Sequence, residues 1–331
     1  MQDTVAILLF VGVVAYALLG GADFGAGFWD LTAGGADRGR RPRHLIDASI
    51  GPVWEANHTW LIYCLVILWS GFPTAFTAIT TTLYLPLVFA ALGIVLRGAG
   101  FAFRHNALRT PEQRLYGAVF ALSSVLTPYS FGAIAGAIAS GRVPTGGNGN
   151  ALTSWNHPTS HLGGVLAVVV CAYLAAVYLH VEARRAGDTA LARYFRDRGL
   201  AAAAAAGAVS VAGIFVLHSD AKRLFHDLSH VALPLVVGAA VCGVACILLL
   251  LTHRTVLLRQ TAAAAVALVV CGWGVAQYPY LLGTHLTLDE GASPRATLQV
   301  LIVVACVAGV TVLPSLVLLF RLAGRGRLTI H

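Results

Sequence analysis

The sequence predicts an all-α polytopic integral membrane protein with nine transmembrane helices. Three observations predict it. Of 331 residues, 58% are apolar and only 11% are charged, against roughly 25% charged in an average soluble chain. Mean hydropathy is +0.78. Nine apolar runs approach or exceed the ~20 residues that cross a bilayer as a helix. A disordered chain is excluded, since it needs low hydrophobicity and high charge. A disulfide scaffold is excluded because six Cys in 331 residues is sparse. A soluble domain lacks the polar surface to cover this much apolar side chain.

The runs are residues 4–31, 49–70, 74–98, 113–140, 161–181, 200–218, 231–252, 258–279 and 296–322, read as one membrane domain over 1–331. The first lacks a basic leading segment and is too long for a signal peptide, so a retained span is expected. The second holds Trp54, Trp60 and Trp69, of which Trp69, near the end, reads as an interfacial belt residue. The stretch 141–160 between spans four and five is Gly- and Asn-rich and reads as a polar loop.

Basic residues set the orientation. Arg142, Lys222, Arg223 and Arg295 fall on one side; the other 18 of the 22 basic residues, Arg109, Arg325 and Arg327 among them, follow the odd-numbered spans. Such loops stay in the cytoplasm, so the N-terminus is expected outside and the C-terminus inside. The net charge of +8 then reports topology, and no nucleic-acid partner is expected. The six Cys form no Cys-x-x-Cys pair, and no metal site is expected.

Carboxylates inside a membrane are costly, and their default reading is functional. Asp23 lies eight residues before Leu31, about 12 Å into the bilayer. Glu55 lies six residues after Ser49, about 9 Å in from the same side. Asp30, at the end of its span, reads as an interfacial, hydrated carboxylate. His58 is one helical turn beyond Glu55, and Arg97 closes the third span on the same side. Asp23, Glu55, His58 and Arg97 are therefore expected to form one polar cluster opening inward, with Trp54 and Asn57 in support. Carboxylate–histidine chains of this kind carry protons across membranes. Gly21-x-x-x-Gly25 permits close helix contact beside Asp23. A haem inside a bundle needs axial His at matched heights. His58, His161 and His180 lie at different depths, so no haem is expected on this chain alone.

Four segments carry a family resemblance. They are Gly20-Gly-Ala-Asp-Phe-Gly-Ala-Gly-Phe-Trp-Asp-Leu31, Ser49-Ile-Gly-Pro-Val-Trp-Glu-Ala-Asn-His-Thr-Trp-Leu-Ile62, Trp69-Ser-Gly-Phe-Pro-Thr-Ala-Phe76 and Leu96-Arg-Gly-Ala-Gly-Phe-Ala-Phe-Arg104. Together they resemble subunit II of the cytochrome bd-type quinol oxidases. The likeness is strongest over residues 15–105 and agrees with nine spans. It implies a multi-pass protein of the bacterial cytoplasmic membrane, paired with a homologous-fold subunit I. That partner would carry two b-type haems, one d-type haem and the quinol site. The complex would oxidise quinol and reduce oxygen to water in the aerobic respiratory chain.

Subunit II would be haem-free and not catalytic alone. It would stabilise subunit I and provide a proton path from the cytoplasm. Lipid and a small accessory subunit are further partners the resemblance allows, and a menaquinol would suit a GC-rich source. By the same motifs Asp23 matches the family's span-one acid, Glu55 the acid after the span-two Trp, Trp54 that Trp, and Arg97 the basic residue ending span three. Glu55 replaces an Asp of some members, Gly20 a second acid, and His58 an amide. Two other classes remain open on the residues alone: a proton-coupled secondary transporter, and a purely structural scaffold.

Overall fold

The computed structural model describes residues 1–51, 53–106 and 110–323. Arg109, Arg325, Arg327 and Pro52 lie outside the described residues. The chain folds into α1 (Gln2–Leu31), α2 (Ala36–Ile50), α3 (Trp54–Gly71), α4 (Pro73–Thr82), α5 (Tyr84–Asn106), α6 (Thr110–Ala139) and α7 (Pro158–Arg185). There follow α8 (Thr189–Asp220), α9 (Lys222–Ser229), α10 (Leu233–Leu251), α11 (Leu258–Gln277), β1 (Tyr280–Leu282), β2 (Leu286–Thr287), α12 (Leu288–Gly291) and α13 (Arg295–Ala323). Among the described residues, eight helices are long and apolar enough to cross a membrane. Counting α3 with α4, which meet at a 116° bend, brings the number to nine.

Several boundaries differ from the hydropathy reading. The expected third span, 74–98, divides: residues up to Thr82 belong to α4, and the long helix α5 begins at Tyr84. Pro73 stands at the first position of α4, where its missing N–H costs nothing, and it cannot continue α3. The expected second span began at Ser49, but Ser49 and Ile50 close α2, and α3 starts at Trp54. Helix α2 was expected as a basic loop. It is amphipathic: Gly39, Pro42, Ile46 and Ile50 are buried, while Arg38, Arg40, Arg41 and His44 are exposed. Its apolar stripe is too short for a hydropathy window to register.

Arg193, Arg196 and Arg198 also lie on a helix, because α8 starts eleven residues before the expected sixth span. Asp188 caps it by accepting from the Leu191 N–H at 2.9 Å. Between α11 and α13 a short antiparallel hairpin pairs Tyr280 with Thr287. The adjoining α12 is held by a capping box between Thr287 and Glu290.

Helix α7 sits in the middle, packed on α1, α6 and α8. Its Leu174, Ala176 and Val177 are fully buried with Phe195, Leu250, Leu258 and Ile46. A second cluster, with Val5, Phe72, Leu83, Val143 and Leu282, fills the opposite end of the bundle. Small residues set the helix spacing. A Cβ on Gly25 would fall 1.8 Å from the Cys171 carbonyl oxygen, so α1 and α7 touch backbone to backbone there. Gly132 and Gly163 make the same contact between α6 and α7. The outward faces are apolar, as on α13, where Val300, Val303, Val307 and Val310 are exposed. All six cysteines are free thiols.

Candidate functional site

Asp23 stands on α1 among Gly20, Gly21, Gly25 and Gly27, where small residues bring α3, α6 and α7 close. Its side chain is buried, with the residue 7% exposed. Asn57, on the second turn of α3 and itself buried, donates from Nδ2 to Asp23 Oδ2 at 2.5 Å. Arg97 comes from α5 and is 1% exposed, the largest fully buried side chain among the described residues. It donates from Nη2 to the Asp23 backbone carbonyl at 2.8 Å and from Nη1 to Ser124 Oγ. Its guanidinium lies between the rings of Phe24 and Phe120, at 5.0 and 4.7 Å. A buried carboxylate and a buried cation thus share one pocket, which offsets the cost of keeping either out of water.

His58, one residue past Asn57, makes no hydrogen bond to this pair among the described residues. Its Nδ1 lies 3.3 Å from the Tyr16 hydroxyl, and the rings of Phe24, Trp54 and Tyr16 surround it at 5.9–6.1 Å. Trp54 packs across to Phe101 on α5, at 5.9 Å. Trp69 is exposed and stacks on Phe76 at the far end of α3.

Glu55 stands apart. It lies in the first turn of α3 and is exposed. The depth count from Ser49 ran through residues of another helix, so Glu55 is nearer the end of its span than that count gave. Asp30 also differs from its expected hydrated setting. It is 3% exposed, and Arg43 Nε donates to it at 2.8 Å. Arg104 bridges its carboxylate to that of Asp47. These four charges close the Arg-rich end of the bundle, seven residues or about 10 Å along α1 from Asp23.

Tyr16, Ser124, Phe24 and Phe120 were not singled out from the sequence. For Tyr16 a signal exists: Tyr16, Asp23 and Asp30 are spaced by seven, so they line one face of α1. Ser124 carries no such mark, because a serine in a mixed apolar helix has no distinctive spacing.

His58, His161 and His180 differ in what holds them. His161 spends both ring nitrogens, one on the Tyr129 hydroxyl at 2.6 Å and one on Asn156 Oδ1 at 2.8 Å. His180 Nδ1 is held by the Ala192 carbonyl at 2.7 Å.

Residues 1–323 match the family described as cytochrome bd terminal oxidase subunit II. The chain belongs to this family. Subunit II relatives are similar along nearly the whole length. The cytochrome bd-I ubiquinol oxidase subunit 2 of Escherichia coli K12 is 25% identical, covering 90% of this chain and 88% of its own. A putative cytochrome bd menaquinol oxidase subunit II of Bacillus subtilis is 20% identical, over 98% and 96%. The cytochrome bd ubiquinol oxidase subunit 2 of the same species is 26% identical over 174 residues, about half of each chain. The bd oxidase structure from Geobacillus thermodenitrificans has the same fold, with a TM-score of 0.77 over 97% of this chain and 98% of that one, at 24% identity. The nine-run pattern read from hydropathy is therefore that of a subunit II, a multi-pass protein of the bacterial cytoplasmic membrane.

Proposed function

We propose that this subunit II is a haem-free component of a quinol-oxidising, oxygen-reducing complex, and that it serves two roles. It holds the haem-bearing subunit I in place, and it passes protons from the cytoplasm toward it. The Arg-rich end formed by α2 and the α7–α8 turn is the cytoplasmic end. Haems carried by the partner, two of b type and one of d type, would supply the oxygen chemistry.

One observation carries the proton reading: a carboxylate buried deep in an apolar bundle with one oxygen uncommitted. Asp23 Oδ2 accepts from Asn57, while Oδ1 has no hydrogen-bond partner among the described residues. That oxygen can take and release a proton. Arg97, spent on a hydroxyl and a carbonyl oxygen, leaves the Asp23 carboxylate free of a direct salt bridge that would lock it. Beyond Asp23 the polar groups continue to His58 and Tyr16, whose rings both flank Phe24, the residue next to Asp23. Glu55 enters from the side. A carboxylate on the outer face of a spanning helix is costly against lipid, so it is better placed against a partner protein.

The scaffold reading has its own support, since Arg97 and Asn57 tie α1 to α5, α6 and α3. Replacement of Asp23 by Asn separates the two. It preserves size and hydrogen bonding but cannot ionise. A proton role predicts loss of oxygen-linked turnover with haem content unchanged; a scaffold role predicts full turnover, or loss of haem and activity together.

A further inference from the structure

A cavity of about 310 Å³ opens at the Arg-rich end, between α2 and the turn joining α7 to α8. Arg40, Arg41, His44 and Asp188 line it together with the apolar side chains of Leu45 and Leu191. Arg41 donates to Asp188 at 2.6 Å, and the same carboxylate caps α8, so its charge is already spent. Arg40 and His44 are exposed and have no hydrogen-bond or ion-pair partner among the described residues. Donors without acceptors therefore line a small cavity that is also lined by apolar side chains.

The helix that carries them is amphipathic. Its apolar stripe, Ile46 and Ile50 with Pro42, packs on the bundle, and its basic face is turned outward. Arg43, on the same helix, is turned inward to Asp30, so the outward face is not a simple excess of surface charge.

We propose that this cavity binds the phosphodiester headgroup of an anionic phospholipid from the adjoining leaflet. Arg40 and His44 donate to the phosphate oxygens. Leu45 and Leu191 contact the first carbons of the acyl chains. A free phosphate could meet the same donors, but it would gain nothing from the apolar lining. The lipid would clamp α2 against the α7–α8 turn. This inference rests on α2 and its neighbours and stands apart from the proton path.

The test uses the assembled oxidase in phosphatidylcholine nanodiscs, with and without phosphatidylglycerol. Native mass spectrometry counts phosphatidylglycerol retained per complex. The Arg40→Gln/His44→Gln double variant should retain one phosphatidylglycerol fewer than the unaltered complex. Arg38→Gln, an exposed change on the same helix outside the cavity, should retain the full number. Equal counts in the unaltered and double-variant complexes overturn the proposal. So does thermal stabilisation by inorganic phosphate in phosphatidylcholine discs without any gain from phosphatidylglycerol, which would mean a free anion. Should the double variant fail to assemble, a photoreactive phosphatidylglycerol is applied to the unaltered complex. Crosslinks to residues 40–45 or 183–191 support the site, and crosslinks only elsewhere overturn it.

Discussion

Replacing Arg97 by Gln should destabilise the complex by about 3–5 kcal/mol, the usual consequence of leaving one buried charge without its counterpart. The guanidinium is 1% exposed and makes two hydrogen bonds, to Ser124 and to the Asp23 carbonyl. Hydrogen bonds to a charged group contribute about 1.5–3 kcal/mol each. Contacts with Phe24 and Phe120 at 5.0 and 4.7 Å add roughly 0.5–2 kcal/mol each. Desolvation of the cation offsets much of that sum. What remains in Arg97→Gln is a carboxylate, 7% exposed, in a pocket that has lost its positive charge. If this electrostatic coupling is correct, converting Asp23 to Asn as well removes the uncompensated charge. The double variant should then be less damaged than the sum of the single variants, by about 1–3 kcal/mol. SDS-titrated unfolding of the four complexes measures the coupling. Additivity within about 0.5 kcal/mol would refute the claim that Asp23 and Arg97 act as one electrostatic unit.

Three other outcomes are expected. Gly25→Ala places a methyl group where the Cys171 backbone lies, 1.8 Å from its carbonyl oxygen; α1 and α7 must separate, and no assembled complex should be recovered by affinity purification. His157, in the loop before α7, is held below its ordinary pKa by burial first and by the Arg142 charge second, with Asp220 partly opposing. A histidine depressed in this way is neutral when folded, so its contribution is complete above about pH 6.5 and is lost as pH falls toward the lowered value. His157→Gln should therefore flatten the acid-side decline of stability measured by thermal unfolding, and an unchanged slope would contradict it. Glu55→Gln should lower oxygen consumption of the assembled complex several-fold at unchanged haem content; unaltered consumption would remove Glu55 from the proton path.

The long helices were legible because an apolar run of spanning length has few other uses. Asp23 was legible for the converse reason: a carboxylate in such a run needs a compensating arrangement, and Asn57 and Arg97 supply it. The elements that escaped are short or amphipathic. Helix α4 merges with α5 in a hydropathy average, because the break at Leu83 is itself apolar. Helix α2 hides its stripe among five charged residues of the segment 37–43. Glu55 was misplaced in depth for the same reason, since the residues before it belong to α2. The Tyr16–His58 contact joins residues 42 apart through tertiary packing, and only the seven-residue spacing of Tyr16, Asp23 and Asp30 hints at it. Asp30 illustrates a further limit. Position along the helix marked it as interfacial, but its burial depends on Arg43 and Arg104 arriving from two other helices.

The proton role of Asp23 is tested most directly by oxygen-linked quinol turnover of the purified complex carrying Asp23→Asn, with haem content measured on the same sample. The account predicts at least a tenfold fall in turnover at full haem content. Wild-type turnover at full haem content would contradict it.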